Sequence, residues 1–190
     1  MRAAVLDALG LDDDGVLLLG VGRFSAEKRW DLCIRAAGET GRKLPVGLLL
    51  VGQGSRRTKL EMLAGQYRNV AVMPAISDRR QLATLFASAD ALVHGCESET
   101  FCLVAAEARA SGLPMIVPDR GAAVDQLVDG AGTTFAAGRE RSLEKAIARF
   151  VRLGPELQRA VAVRSSRGRT MDEHFAELFA RYEALAQHGA

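Results

Sequence analysis

Short apolar strands alternating with helical stretches predict an α/β fold: a doubly wound, Rossmann-like parallel sheet of about six strands in a single domain. The strand segments are unbroken apolar runs, the mark of strands buried on both faces, and not the apolar–polar alternation of a half-wetted sheet. Helical spacing between successive runs is long enough for the right-handed crossovers that parallel neighbours require.

In chain order, the first strand is expected over 16–22, ending in Gly20-Val21-Gly22. A helix over 28–37 places Trp30, Cys33, Ile34 and Ala37 near one stripe. A strand over 46–51 is closed by Gly52-Gln53-Gly54, and a helix over 55–67 takes Ser55 as its N-cap. The strand over 70–73 ends at Pro74, the helix over 78–88 carries Leu82, Leu85 and Phe86, and 91–94 is a short strand. The next helix stops at Gly112 with Pro114 just beyond. Strands over 114–117 and 133–135 complete the sheet, and helices over 139–153, 155–167 and 172–187 close the chain. In such sheets ligands bind beyond the carboxyl ends of the strands, so function is expected in the loops that follow them.

Composition narrows the partners. The 190 residues carry 25 basic and 23 acidic side chains, a net charge of +2, and no basic face is interleaved with aromatics. Neither nucleic acid nor an anionic membrane is therefore expected as a partner of this chain. The three cysteines, Cys33, Cys96 and Cys102, form no disulfide framework. The first residues are too soon charged for a secretory signal, and no apolar run approaches the roughly 18 residues of a membrane span. A cytoplasmic location is the expectation.

The loop after the first strand, Gly22-Arg23-Phe24-Ser25-Ala26-Glu27-Lys28, offers close backbone approach and two cations that would neutralise a pyrophosphate. Taken alone it reads equally well as a solvated loop. Gly52-Gln53-Gly54 after the second strand lacks the third glycine of a dinucleotide fingerprint, which disfavours an NAD-binding domain and leaves a purely steric turn as the simpler reading. The richest segment is Glu97-Ser98-Glu99-Thr100-Phe101-Cys102-Leu103-Val104-Ala105-Ala106-Glu107. With Glu99 in the loop before a helix and Glu107 two turns along it, two carboxylates flank a helix start that can receive phosphate. Carboxylates that accept from hydroxyls on either side of a diphosphate suit a sugar nucleotide. The apolar neighbours of Glu107 predict that it is substantially buried and so needs a partner. His94, Cys96 and Cys102 lie close in sequence but match no common zinc spacing, and His94 is better placed to line a donor site. Trp30 reads as a core anchor.

The set Val21-Gly22-Arg23-Phe24-Ser25-Ala26-Glu27-Lys28, Val51-Gly52-Gln53-Gly54 and Glu99-x7-Glu107-Ala108-x-Ala110-x-Gly112-x-Pro114 resembles glycosyltransferase family 4, whose members are retaining enzymes of the GT-B fold. The resemblance extends over nearly the whole chain, including the tail with His174, Phe175, Phe179 and Tyr182. It implies that residues 1–190 are the C-terminal, donor-binding half of a GT-B enzyme, cut from a longer protein whose N-terminal acceptor domain is absent. It implies a nucleotide diphosphate sugar, GDP- or UDP-linked, as donor, a hexosyl unit such as mannosyl or glucosyl transferred to an acceptor, and no metal or other cofactor. The isolated half is expected to be inactive, and any membrane association of the full enzyme would reside in the missing half.

By the same resemblance Arg23 and Lys28 hold the donor diphosphate, and Glu99 lies near the donor sugar. Glu107 takes the ribose hydroxyls, and the backbone at Phe101, Cys102 and Leu103 grips sugar and phosphate. Gly22, Gly52 and Gly54 form turns beside the nucleotide, Ile76 and Ser77 approach its base, and His94 lines the donor site. Cys102 departs from the family, which usually has glycine there, and its side chain is expected to crowd the sugar or phosphate. A sugar-nucleotide epimerase half-domain and a non-catalytic nucleotide-binding or assembly module remain as alternatives.

Overall fold

The computed structural model describes residues 1–127, 130–166 and 171–188; the side chains of 171, 172, 174 and 183–188 fall outside the described set. Six strands form one wholly parallel sheet: β1 (Val16–Val21), β2 (Val46–Gly52), β3 (Val70–Pro74), β4 (Ala91–Val93), β5 (Met115–Pro118) and β6 (Gly132–Phe135). Their order, β3-β2-β1-β4-β5-β6, is that of a doubly wound sheet. The chain winds outward from β1 in one direction, then returns to β4 and winds outward in the other. Loops leaving β1 and β4 therefore diverge and open a crevice between them.

The sheet is held by period-two alternation of side chains that are apolar on both sides. Val16, Leu18, Val46, Leu48, Leu50, Ala91, Val93 and Ile116 point into one core, and Leu17, Leu19, Leu49, Val51, Leu92, Met115 and Val117 into the other. The first core is covered by α2 (Trp30–Gly41), α3 (Arg57–Ala64) and α6 (Glu140–Leu153), through side chains such as Ile34, Leu60, Ile147 and Phe150. The second lies under α1 (Arg2–Ala8), α4 (Arg79–Ser88) and α5 (Leu103–Ala110), through Leu6, Leu85, Phe86, Ala105 and Ala108. Burial of one such leucine contributes about 1.5–3 kcal/mol. The remaining helices are α7 (Pro155–Arg164) and α8 (Met171–His188). The expected extension of α7 to Arg167 and the side chain of His174 lie outside the described residues. Among the described residues, no helix is long and apolar enough to cross a membrane.

Most boundaries fall within two residues of expectation, and three departures have physical causes. α1 was not anticipated; it buries Leu6, and its Arg2 guanidinium donates to Ser88 O, Asp90 Oδ2 and Gly15 O at 2.7–2.8 Å. Asp90 Oδ2 also accepts from Leu17 N–H at 2.7 Å, so this cluster fastens the amino ends of β1 and β4. α2 starts at Trp30 and not at 28, because Arg29 takes a left-handed conformation (φ 53°) and leaves Lys28 in the preceding turn. Ser55 does not cap α3, which begins after Arg56 without a side-chain cap. The backbone there is already committed, with Arg56 N–H donating to Phe24 O at 3.1 Å.

That bond belongs to a wider seam between the loops after β1 and β2. Gly22 N–H donates to Val51 O at 3.0 Å and Phe24 N–H to Gln53 O at 2.8 Å. A Cβ at Gly52 would stand 1.9 Å from Gly22 O, and one at Gly54 would stand 2.5 Å from Phe24 O. These glycines permit backbone to lie against backbone. Gly52→Ala is therefore expected to destabilise the chain by about 2–3 kcal/mol or more in urea unfolding. Gly65→Ala, where the nearest atom would be Glu61 O at 3.5 Å, is expected to be neutral or to stabilise by up to about 1 kcal/mol.

Candidate functional site

A crevice of about 610 Å³ lies at the carboxyl ends of β1 and β4. One wall is the loop after β1, with Gly22, Arg23, Glu27 and Lys28; the other runs from Ser98 through Glu99, Phe101, Cys102 and Leu103 to Glu107. A second pocket of about 250 Å³ adjoins it, sharing Val21, Gly22 and Arg23 and bounded by Gly52, Gln53, Ala75, Ile76 and Leu82. Arg23, Phe101 and Leu103 are exposed to this space.

The loop after β1 is propped from beneath. Trp30, fully buried, donates its indole N–H to Arg23 O at 2.9 Å and packs under Gly20 and Gly22. Phe24, also fully buried, turns inward between Arg23 and Ser25 and holds the loop against β2. Arg23 and Lys28 are thereby left facing the crevice. Ser25 Oγ donates to Glu27 at 2.5 Å, and this bond, before any other cause, holds the Glu27 carboxyl below its usual range.

On the facing wall, Lys28 Nζ pairs with Glu99 Oε1, joining the loop after β1 to the loop after β4. Behind this pair His94 is fully buried, with Nε2 3.5 Å from Glu99 Oε1 and 3.6 Å from Cys102 Sγ. Burial first, then the charge of Lys28, pushes the His94 pKa down to about 4, so the ring is neutral at pH 7. Cys102 is a non-glycine residue in the left-handed region (φ 57°, ψ 67°), a conformation that costs about 1–2 kcal/mol. Its thiol is buried against His94, while the residue itself lines the crevice.

α5 begins immediately after Cys102 and has no side-chain cap. Its first amides, at Leu103 and Val104, lie at a helix end that carries partial positive charge and faces the crevice. Glu107, expected to be buried, is exposed and lines the same space. α5 buries Ala105 and Ala108 on a single stripe, and Glu107 projects from another part of the helix. It forms no ion pair among the described residues, so its carboxylate is available to a ligand.

The structure thus brings Gly22, Arg23, Lys28, Glu99, Phe101, Cys102, Leu103 and Glu107 to one crevice, and Gly22, Arg23, Gly52 and Ile76 to the adjoining pocket. Gly54 is not in either lining; its place is the backbone seam with Phe24. Ser77 is exposed outside both, and His94 stands behind the wall. Sequence reasoning missed Trp30 as the support of Arg23, and Glu27, Ser98, Thr100 and Leu82 as lining. It grouped Cys96 with His94 and Cys102, whereas the residue that joins them is Glu99.

A sequence profile described as glycosyl transferases group 1 matches residues 2–165. The chain belongs to this family. It is 36% identical over 177 residues to a GDP-mannose-dependent alpha-mannosyltransferase of Mycobacterium tuberculosis, a match covering 90% of this chain and 44% of the relative. It is 33% identical over 144 residues to a D-inositol 3-phosphate glycosyltransferase of Frankia alni, covering 70% of this chain and 35% of the relative. The chain therefore spans less than half the length of either relative. Its fold matches that of the pneumococcal O-GlcNAc transferase GtfA, solved with UDP and GlcNAc, with a TM-score of 0.75 at 19% identity over 93% of this chain and 37% of that one. The sheet is Rossmann-like and matches the fold of GT-B glycosyltransferases.

The depressed His94 pKa has a measurable consequence. Between about 4 and the ordinary 6.5 the unfolded chain binds a proton at His94 that the folded chain does not, so stability rises with pH across that window. As pH falls through it, the His94 contribution is lost at up to about 1.4 kcal/mol per pH unit and then levels off. The pH dependence of urea unfolding for the parent minus that for His94→Gln is expected to show this slope; superimposable profiles would refute it.

Proposed function

We propose that the chain is the C-terminal, donor-binding domain of a retaining hexosyltransferase that takes its sugar from a nucleotide diphosphate sugar. The observation that carries this reading is the convergence of Arg23, Lys28 and the uncapped start of α5 on one crevice, with Glu99 and Glu107 on its wall. Two cations and free amides match a diphosphate, and carboxylates match hydroxyls. The Arg23 guanidinium offers paired N–H groups to phosphate oxygens, and the Lys28 ammonium, steadied by Glu99, adds charge at the same place.

In this arrangement Glu107 receives ribose hydroxyls, Glu99 accepts from the sugar, and the pocket bounded by Gly22, Gly52, Ile76 and Leu82 takes the base. As the bond between the anomeric carbon and the diphosphate breaks, negative charge grows on the leaving phosphate. Arg23, Lys28 and the α5 amides, already oriented, stabilise that charge more in the transition state than in the bound donor. The sugar leaves with its anomeric configuration retained, and the acceptor is held by a domain outside this chain. GDP-mannose is the donor we favour, from the mannosyltransferase relative of Mycobacterium tuberculosis and its coverage of this chain.

Calorimetric titration of the chain with GDP, UDP and ADP separates the readings. Binding of GDP at micromolar to millimolar concentration, ahead of the other two, is the expected result. Binding of none of the three would leave an assembly module as the better account. In the complete enzyme, Arg23→Ala or Lys28→Ala is expected to lower kcat by roughly a hundredfold or more in steady-state assays. Turnover close to that of the parent in either variant would overturn the role given to these cations.

A further inference from the structure

The crevice holds two cations in unlike states. Arg23 is exposed and makes no ion pair among the described residues, whereas Lys28 is largely shielded and its ammonium is already paired with Glu99 Oε1. The Glu99 side chain is itself only 15% exposed. Its other close neighbour, His94 Nε2 at 3.5 Å, is neutral at pH 7 and brings no countercharge. Lys28 and Glu99 therefore cannot both serve a ligand while they hold each other. If Lys28 leaves, a shielded carboxylate stands unpaired beside the incoming phosphates, where it lacks a donor and repels the ligand. Sugar hydroxyls can donate to the vacated oxygens and supply what Lys28 gave. A bare nucleoside diphosphate brings no such donors to Glu99.

Resting on the reading of this crevice as a donor site, we propose that Glu99 makes it discriminate between a sugar nucleotide and the nucleoside diphosphate left after transfer, by releasing Lys28 to the first and withholding it from the second. With a bare diphosphate the Lys28–Glu99 pair stays closed, and Arg23 with the first amides of α5 carries the phosphates alone. With a sugar in place Glu99 turns to hydroxyls and Lys28 to the diphosphate. Both cations then face the leaving group as charge develops on it. Once the sugar has passed to an acceptor, Glu99 has lost its hydroxyl partners, retakes Lys28 and loosens the product.

The sign of one mutational effect separates this arrangement from a carboxylate that merely touches sugar. Removing a group that contacts only the sugar leaves the affinity for a bare diphosphate unchanged. Removing a group that withholds a cation raises it. Glu107 supplies the comparison, because it lines the same crevice with an equal charge but forms no ion pair among the described residues. A general easing of repulsion would appear on removal of either carboxylate, whereas release of Lys28 follows from Glu99 alone.

The test is a double-mutant cycle read by calorimetric titration of the chain with GDP and GDP-mannose and, in parallel, with UDP and UDP-glucose. Glu99→Gln, which keeps the shape and drops the charge, is expected to tighten binding of the bare diphosphate by roughly tenfold and to narrow the preference for the sugar nucleotide. Lys28→Met should weaken the bare diphosphate by no more than about threefold in the parent, but by roughly thirtyfold in the Glu99→Gln background. Glu107→Gln should not tighten it. The assignment is overturned if Glu99→Gln binds the bare diphosphate as the parent does, if Glu107→Gln tightens it equally, or if Lys28→Met has the same effect in both backgrounds. Any of these outcomes, with nucleotide still bound, leaves the donor-site reading standing; binding of no nucleotide removes that reading and this assignment together.

Discussion

Lys28 and Glu99 belong to loops that leave the sheet in opposite directions, and their ion pair closes the gap between them. A doubly wound sheet necessarily parts its loops at the switch between β1 and β4. Parting alone yields an open notch. Here the notch is bounded because each wall is braced against the core: Arg23 by Trp30 below it, Glu99 by Lys28 in front and His94 behind. Both partners of the pair are largely shielded, with 20% and 15% of their side-chain surface exposed, so water screens them less than it would a surface pair.

The fold was legible because its strands are buried on both faces. Runs such as Val16 to Leu19 and Leu48 to Val51 declare themselves without any knowledge of their partners. α1 escaped notice because it adds one buried residue of its own, Leu6, and is secured instead by Arg2, whose acceptors are scattered along the sequence. The Ser55 cap failed because the residues that follow are bonded to Phe24, a partner from another strand's loop.

The site divides in the same way. Residues adjacent to strand ends, such as Gly22, Arg23 and Gly52, could be placed from the strands alone. Glu107 lines the crevice, as its spacing from Glu99 suggested, but the burial expected from its apolar neighbours is not found: they occupy another side of the helix, and its carboxylate is exposed. The inward turn of the Cys102 thiol and the joining of Glu99 to His94 depend on a left-handed residue that sequence does not announce. Trp30 was read as a core anchor, which it is, but its indole N–H also fixes the backbone that carries Arg23.

The two hollows draw their walls from different parts of the chain. The larger one is bounded by loops after β1 and β4, whereas Ala75, Ile76 and Leu82, which edge the smaller one, come from the stretch after β3 and from α4. Only Val21, Gly22 and Arg23 are common to both. Ile76 and Leu82 can therefore change in size and shape over evolution without disturbing Lys28, Glu99 and Glu107 on the walls of the larger hollow.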